Sequence, residues 1–272
     1  MAPPQLVDIG VNLAHKSFRV DRESVVSRAL AAGVTTLILT GTSEASSREA
    51  QAIAASFIAC DPQAKTGLFS TAGVHPHDAK SCGPSTLDAL REIARRPRVV
   101  AIGECGLDFN RDFSPRPVQE RWFEAQLALA SELGLPVFLH ERDAHARFTA
   151  ILREHRAKLV GAVVHCFTGT RAELDVYLEL GACIGITGWI CDERRGVALR
   201  RLTPSIPLDR LMLETDAPFL VPRDITPRPS RNEPAYLVHV LAAIAKERGE
   251  PASAVAEATT ATAKRFFQLD RT

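Results

Sequence analysis

Signals of several common functional classes are missing from this sequence. Its 33 basic and 32 acidic residues give a net charge of +1, so no overall positive charge indicates a nucleic-acid partner, although a local basic surface would not alter that sum. No G-x-S-x-G, P-loop or G-x-G-x-x-G pattern occurs, which removes the usual serine-hydrolase, kinase and dinucleotide-binding interpretations.

Membrane and disulfide signals are missing as well. No run reaches the roughly 18 apolar residues needed to span a bilayer, and the first residues, MAPPQLVDIG, lack a basic segment followed by a long apolar one. We therefore expect a soluble, cytoplasmic protein. No C-x-x-C pair occurs and the chain is too large to need disulfides, so we expect reduced thiols at the six cysteines, Cys60, Cys82, Cys105, Cys166, Cys183 and Cys191.

What the sequence does contain is a repeated unit of strand and then helix. Continuous apolar runs suit parallel strands that are buried on both faces, and eight units in about 250 residues match the size of a TIM barrel. We predict a single-domain (β/α)8 barrel over residues 1–272, with a doubly wound open sheet as the alternative. The eight predicted strands are LVDIGVNL, TTLILTG, LFSTAGVH, VVAIGECGLD, PVFLHE, GAVVHCFTG, CIGITGWI and RLMLETDAP.

Most of these strands end in a polar residue that an apolar core would reject. In a barrel the carboxyl-terminal ends of all strands meet on one face, so separate stretches of sequence would form one cluster. Imidazole and carboxylate together are ligands of Zn, Mn, Fe or Mg, and the combined set predicts a shared metal site, although a single strand-end histidine is more often structural. The set comprises Asn12, His75, His77, Glu104, Asp108, His140, His165, Glu214 and Asp216.

Other polar residues receive structural interpretations. Asp8 lies deeper in the first strand and is expected to be a buried partner that fixes a neighbouring strand or ligand. Asp143 is expected to cap the helix that follows it. Cys105 and Cys166 adjoin the predicted ligands but would point to the other side of their strands, where they would fill the core.

The order of these motifs resembles a known family. VDIGVNL, AGVHPHD, VAIGECGLDFN, ERDAHARF, HCFTG, GITGWICDERRG, ETDAPFLVPRD and RNEP occur from end to end, and together they resemble the TatD family of metal-dependent deoxyribonucleases. The resemblance implies a TIM barrel and a divalent-cation-dependent DNase, commonly a 3′-5′ exonuclease linked to DNA repair and DNA fragmentation.

The same resemblance implies roles for individual residues. Glu104, His140 and His165 correspond to metal ligands, with Glu104 as the candidate bridge between two ions. Asp216 corresponds to the aspartate after strand eight that binds metal or activates water.

Two positions depart from the pattern of many relatives. Where these carry H-x-H in strand one, this chain has Gly10 and Asn12, so Asn12 is expected to be at most a weak metal or water contact. Glu141 stands where Ser or Cys is usual, and the sequence assigns it no role.

The resulting hypothesis is hydrolysis of phosphodiester bonds in single-stranded DNA or at a 3′ end, with RNA as an alternative substrate, by a monomeric enzyme that does not bind membranes. One or two ions are expected, Mg²⁺ first, with Mn²⁺ and Zn²⁺ as alternatives. His75 would steady the leaving oxygen or a phosphate, or else make a structural hydrogen bond. Loop arginines are expected to meet phosphates, unless they are merely solvated: Arg111, Arg116, Arg194, Arg195, Arg223, Arg228 and Arg231.

Two other functions stay open at this stage. The same metal chemistry on the same fold could serve an amidohydrolase, a lactonase or an aminoacyl-tRNA deacylase, since fold does not imply substrate. A non-catalytic binding barrel that has lost its metal is the third hypothesis, although the presence of the four candidate ligands argues against it.

Overall fold

Eight parallel strands form the centre of the protein, which the computed structural model describes over residues 5–60 and 67–271. Each strand pairs with the next one along the chain. The strands are β1 (Leu6–Val11), β2 (Val34–Leu39), β3 (Gly67–Ala72), β4 (Val99–Asp108), β5 (Val137–Arg142), β6 (Ala162–Val164), β7 (Cys183–Ile186) and β8 (Leu211–Leu213).

The first strand and the segment after the last strand meet and close the sheet into a barrel. Val11 forms a parallel bridge with Ala217. The N–H of Asn12 donates to the carbonyl of Ala217 (2.7 Å), and the N–H of Asp216 donates to the carbonyl of Gly10 (2.8 Å). The predicted TIM barrel is therefore confirmed, and the open sheet is wrong.

Helices follow the strands and form the outer layer. Three of them end before a glycine with a φ of 65–68°, namely Gly134, Gly181 and Gly249, as their helix-ending positions predicted. The helices are α1 (Arg22–Ala31), α2 (Glu44–Cys60), α3 (Thr86–Ala94), α4 (Arg116–Leu133), α5 (His145–His155), α6 (Arg171–Glu179), α7 (Val197–Leu202), α8 (Leu237–Arg248) and α9 (Ala252–Phe267).

The core has two layers. Val7, Ile38, Phe69 and Phe138 belong to a buried cluster inside the barrel, which Phe267 of α9 joins. A larger cluster fills the space between strands and helices. Because α9 packs against β1 and β8, it supports the seam at which the barrel closes.

Two further expectations concern the membrane and the cysteines. Among the described residues, no helix is long and apolar enough to cross a membrane. The side chain of Cys60 lies outside the described part of the structure. The other five cysteines are free thiols, as predicted: Cys82, Cys105, Cys166, Cys183 and Cys191.

Candidate metal centre

The loops after β3 and β6, together with β4 and β5, bring three imidazoles and one carboxylate together at the carboxyl-terminal end of the barrel. Glu104 of β4 is 6% exposed, and its N–H donates to the carbonyl of Gly41. Its Oε1 lies 2.9 Å from Nδ1 of His140, 2.9 Å from Nε2 of His165 and 3.3 Å from Nε2 of His75. Three rings therefore converge on a single oxygen atom.

The charges of these groups shift one another's pKa values. Burial alone would raise the pKa of Glu104, but the charges of His165 and His75, with hydrogen bonds from His140 and His165, hold it well below its ordinary value. Burial opposes protonation of His165, yet Glu104 and Glu214 raise its pKa well above the ordinary value. At His75 burial prevails and lowers the pKa. The buried carboxylate is thus kept negative, which suits a cation site.

The residues present fit a divalent cation. Nε2 of His140 is buried without a hydrogen-bond partner, and Oδ2 of Asp108 lies 3.5 Å away, outside hydrogen-bond geometry. A buried unpaired ring nitrogen is costly unless something else occupies its lone pair. One ligand atom each from His75, Glu104 and His140 lie within 4.8 Å of one another, and this imidazole and carboxylate set suits several divalent ions.

The hydrogen bonds of the rings decide which nitrogen faces the centre. Nδ1 of His75 accepts the N–H of His77 (3.1 Å), so the proton of the neutral ring lies on Nε2 and that atom is a donor. Nδ1 of His165 lies 3.3 Å from Oε2 of Glu214. Once His165 has given up its Nε2 proton, the proton shared with Glu214 stays on Nδ1 and the Nε2 lone pair is directed at the centre. His165 is therefore better suited than His75 to bind metal.

Glu214 contacts His165 on the side of the ring that faces away from Glu104. It is fully buried, and its carboxylate also accepts the N–H of Cys166. Its carboxylate has room because β1 and β7, the strands on either side of β8, carry glycines there. A Cβ at Gly10 would lie 2.7 Å from Oε2 of Glu214, and one at Gly185 would lie 2.5 Å from Oε1. Both glycines are needed for this close approach.

Asp216 and Asn12 meet across the barrel seam. Nδ2 of Asn12 donates to Oδ1 of Asp216 at 3.0 Å. Burial raises the pKa of Asp216 to about 7; the charges of Glu104 and Glu214 act in the same direction, while His165 and Asn12 oppose them. The weak metal or water contact of Asn12 stays a prediction, and the structure shows its hydrogen bond to Asp216.

A second histidine-carboxylate pair lies beside the centre. Oδ2 of buried Asp108 is 2.7 Å from Nε2 of His77, and Oδ1 accepts the backbone N–H groups of Asn110 and Arg111. Burial would raise the pKa of Asp108, but the nearby His140 ring, 3.5 Å away, and the hydrogen bond with His77 hold it far below its ordinary value. Asp108 therefore orders the loop that follows β4.

A cavity of about 920 Å³ opens above these groups. Asn12, His75, Glu104, His140, His165 and Asp216 all lie in its wall, so the predicted catalytic and metal-binding residues come together in one place. The carboxyl-terminal face of a (β/α)8 barrel is the usual location of an active site.

Comparison with known proteins supplies the family. The family model described as TatD related DNase matches residues 7–268. This chain belongs to that family. A Klebsiella pneumoniae protein is 54% identical over 267 residues, covering 97% of this chain and 98% of its own, and one from Escherichia coli K12 is 52% identical over 266 residues, covering 97% and 99%. Both relatives are named 3'-5' ssDNA/RNA exonuclease TatD.

Solved structures agree with the family and the fold. The TatD homolog YjjV from Escherichia coli K12 superposes with a TM-score of 0.85 at 30% identity, covering 97% of this chain and 98% of that one. A TatD family hydrolase from Entamoeba histolytica gives 0.87 at 24% identity, covering 97% and 98%, which supports the fold alone. Membership of this nuclease family and the histidine and glutamate cluster indicate that the protein binds a divalent metal.

The predicted phosphate-binding arginines occupy different surroundings. Arg195 lines the cavity, whereas Arg223 is 2.6 Å from Asp192. Arg231 forms ion pairs with Asp21 and Glu233 and so ties the loop after β8 to the segment before α1. Phosphate binding stays a prediction for Arg111, Arg194, Arg195, Arg223 and Arg231.

No signal in the sequence marks two residues of the cavity wall, Glu141 and Arg142. Arg142, at the end of β5, also lines the cavity. Glu141, which had no assigned role, accepts the N–H of Ala144 (2.7 Å) and the hydroxyl of buried Tyr177 (2.9 Å). The predicted cap at Asp143 is wrong, because its carboxylate accepts from Asn110 instead and Glu141 supplies the acceptor at the start of α5.

Proposed function

We propose that this TatD-family protein is a divalent-metal-dependent 3′-5′ exonuclease that hydrolyses phosphodiester bonds in single-stranded DNA, with RNA as a second substrate. The observation that carries the proposal is the convergence of three imidazoles on Oε1 of Glu104 at the base of a cavity. Relatives at 54% identity over 97% of the chain, whose names state 3'-5' ssDNA/RNA exonuclease activity, support the substrate class and polarity.

The proposed ligands are Glu104, His140, His165 and Asp216, and the proposed ion is Mg²⁺, with Mn²⁺ and Zn²⁺ as alternatives and one or two ions bound. Carboxylate oxygens from Glu104 and Asp216 favour a hard ion that keeps several waters. Such an ion lowers the pKa of a bound water and offsets negative charge on the phosphate.

Two side chains of the protein would then accept and donate the protons of the reaction. Asn12 fixes Oδ1 of Asp216, and Oδ2 has no hydrogen bond among the described residues, so Asp216 is placed to orient a water or accept its proton. His75 carries its proton on Nε2, from which it can donate to a phosphate oxygen or to the leaving oxygen.

We further propose a monomer formed by one domain over residues 1–272, acting in the cytoplasm in DNA repair or DNA degradation. The single barrel seam, which links residues near both ends of the chain, supports one folding unit. Light scattering on the purified protein tests the monomer, since a mass of twice 29.6 kDa would contradict it.

The experiment that tests the function compares Glu104→Gln and His140→Ala with the unaltered enzyme on single-stranded DNA labelled at the 5′ end, in Mg²⁺. Loss of a ligand should reduce kcat by at least about 100-fold, because even residues that only support ligands contribute 10- to 100-fold. His155→Ala, at the end of α5 and outside the cavity wall, is the matched control. Wild-type rates in both ligand variants would contradict the assignment.

A further inference from the structure

Two aromatic side chains stand in the wall of the same cavity as Glu104, on neighbouring loops. Trp189 belongs to the short 3-10 turn Gly188–Cys191 after β7, and Phe219 follows β8. The Phe219 side chain is 48% exposed although it is large and apolar. Exposed aromatic surface inside a cavity that also holds charged groups is more typical of a binding site than of a folding core.

The loop that carries Trp189 is held in place without any ligand. Buried Asp192 accepts the N–H groups of Arg194 and Arg195, both at 2.9 Å. The guanidinium of Arg200 donates to the carbonyls of Ile190 (2.9 Å) and Asp192 (3.0 Å). An ordered loop presents its side chains with little conformational entropy to lose on binding.

The loop that carries Phe219 is packed against the Trp189 loop. A Cβ at Gly188 would lie 2.4 Å from the carbonyl of Leu220, so only glycine allows the two loops to approach this closely. On its other side the Phe219 ring contacts the His15 ring edge-on, with centroids 5.6 Å apart. The two loops are therefore packed together at the wall of the cavity, and the Phe219 ring is held against His15.

A positive charge accompanies the rings. The guanidinium of Arg195 lies 5.5 Å from the centroid of the Trp189 ring, and Arg195 also lines the cavity. Aromatic faces beside a cation are the combination with which proteins bind single strands, because every base has a face to stack and every linkage carries a negative charge.

We propose that Trp189 and Phe219 form a stacking subsite for a nucleobase that flanks the cleaved linkage, with Arg195 beside it for the adjoining phosphate. This inference rests on the proposed nuclease function and adds the part of the substrate that is recognised. The subsite accepts an unpaired base of any identity, since it offers faces rather than hydrogen bonds, and a base held in a duplex cannot enter it.

The first test uses the tryptophan content. The sequence has two tryptophans, so Trp122→Phe leaves Trp189 as the sole emitter. Nε1 of Trp122 is buried without a partner, and its replacement removes no hydrogen bond. A hydrolysis-resistant phosphorothioate oligonucleotide is titrated while the anisotropy of its 5′ dye reports binding. We expect Trp189 emission to fall in step with binding.

A matched oligomer of abasic deoxyribose phosphate units should bind without quenching that emission. Saturated binding of the base-carrying oligomer with unchanged emission would overturn the subsite while leaving the nuclease intact. Absence of any nucleic-acid hydrolysis by the unaltered enzyme would instead overturn the proposed function itself, so the two failures are distinguishable.

The second test replaces Phe219. Phe219→Leu keeps the apolar volume and removes the aromatic face, so KM for single-stranded DNA should rise about 5- to 150-fold, the range that corresponds to about 1–3 kcal/mol for one stacked base. Phe219→Trp should bind more tightly than Phe219→Leu. The exposed Val160, which precedes β6 at the opposite end of the barrel, gives the control Val160→Ala.

An abasic scan locates the base. If Phe219 stacks on a base, the difference in KM between the unaltered enzyme and Phe219→Leu should vanish when the abasic unit occupies that one position of the substrate. Equal KM values for the unaltered enzyme and Phe219→Leu on the fully base-carrying strand would overturn the proposal.

Discussion

Oε2 of Glu214 lies 3.3 Å from Nδ1 of His165, and the carboxylate of Glu214 is completely shielded from solvent. The opposite nitrogen of the same ring lies 2.9 Å from Oε1 of Glu104. Glu214 thereby favours the proton on Nδ1 of His165, and it holds the ring in the orientation that the proposed role of His165 as a metal ligand would need.

Glu214→Gln should weaken metal binding without removing a ligand. The amide presents an N–H or a carbonyl where a charged acceptor held the ring, so the affinity for Mn²⁺ should fall about 10- to 100-fold. Titration of Mn²⁺ followed by electron paramagnetic resonance measures the free ion directly. Glu179→Gln, on the exposed side of α6, is the control, and equal Mn²⁺ affinities in the two variants would refute the role of Glu214.

Gly10→Ala should lower the free energy of unfolding by about 1–3 kcal/mol, since the added Cβ would lie 2.7 Å from Glu214 and 3.1 Å from the ring of Phe138. Denaturant unfolding measures the change. Gly83→Ala is the matched control, because nothing lies within 4 Å of a Cβ at Gly83. A Gly10→Ala protein as stable as the control would show that the carboxylate of Glu214 relocates freely.

Asp8 should make the protein lose stability as pH rises. Burial raises the pKa of Asp8 to about 7 against the hydrogen bonds that it accepts from Thr215 and Gly10, and the charge of Glu214 raises it further. The folded state therefore binds the proton more tightly than the unfolded chain does. The free energy of unfolding should consequently fall between about pH 4 and pH 7, where the folded carboxyl ionises.

Asp8→Asn keeps a neutral group at all pH values and tests this dependence. The free energy of unfolding of Asp8→Asn minus that of the unaltered protein should increase as pH rises from about 4 to about 7, and it should stay constant above about pH 7. Thermal melts at a series of pH values provide the measurement. Parallel curves for the two proteins would mean that Asp8 does not titrate in this range.

Tyr177→Phe should cost about 1–3 kcal/mol of stability, because the half-buried carboxylate of Glu141 loses the hydrogen bond that the buried Tyr177 hydroxyl donates. The hydroxyl is also 2.9 Å from Nδ1 of His145, so one deletion breaks a chain of three side chains. Tyr236→Phe removes the only other tyrosine hydroxyl, which has no hydrogen bond among the described residues. Chemical unfolding that ranks the two variants equally would count against this network.

Most of the barrel follows from the sequence because its strands are local apolar runs. VVAIGECGLD coincides with β4 from Val99 to Asp108, and the strand-end residues Glu104, His140 and His165 do meet. Their convergence needs only the rule that parallel strands of a barrel end on one face. The hydrogen-bond partner of each side chain cannot be predicted in this way, since it depends on the register of the strands.

Glu214 and Arg231 show what register decides. Both follow β8, yet Glu214 turns into the space beside Gly10 and Gly185, while Arg231 is ion-paired with Asp21 before α1. Nothing local in either stretch reveals those partners, because they are contributed by β1, β7 and the start of the chain. The glycines in DIGVN and IGITG were the available signal, since a glycine inside a strand often marks close approach by another group.

The seam at Gly10 and Asp216 can form only after most of the chain has been synthesised. Asn12 and Asp216, which meet there, are 204 residues apart. A growing chain that ends before β8 already contains Glu104, His140 and His165, but it has neither the carboxylate behind His165 nor the aspartate across the seam. An incomplete copy of this nuclease should therefore be harmless to the nucleic acids around the ribosome that makes it.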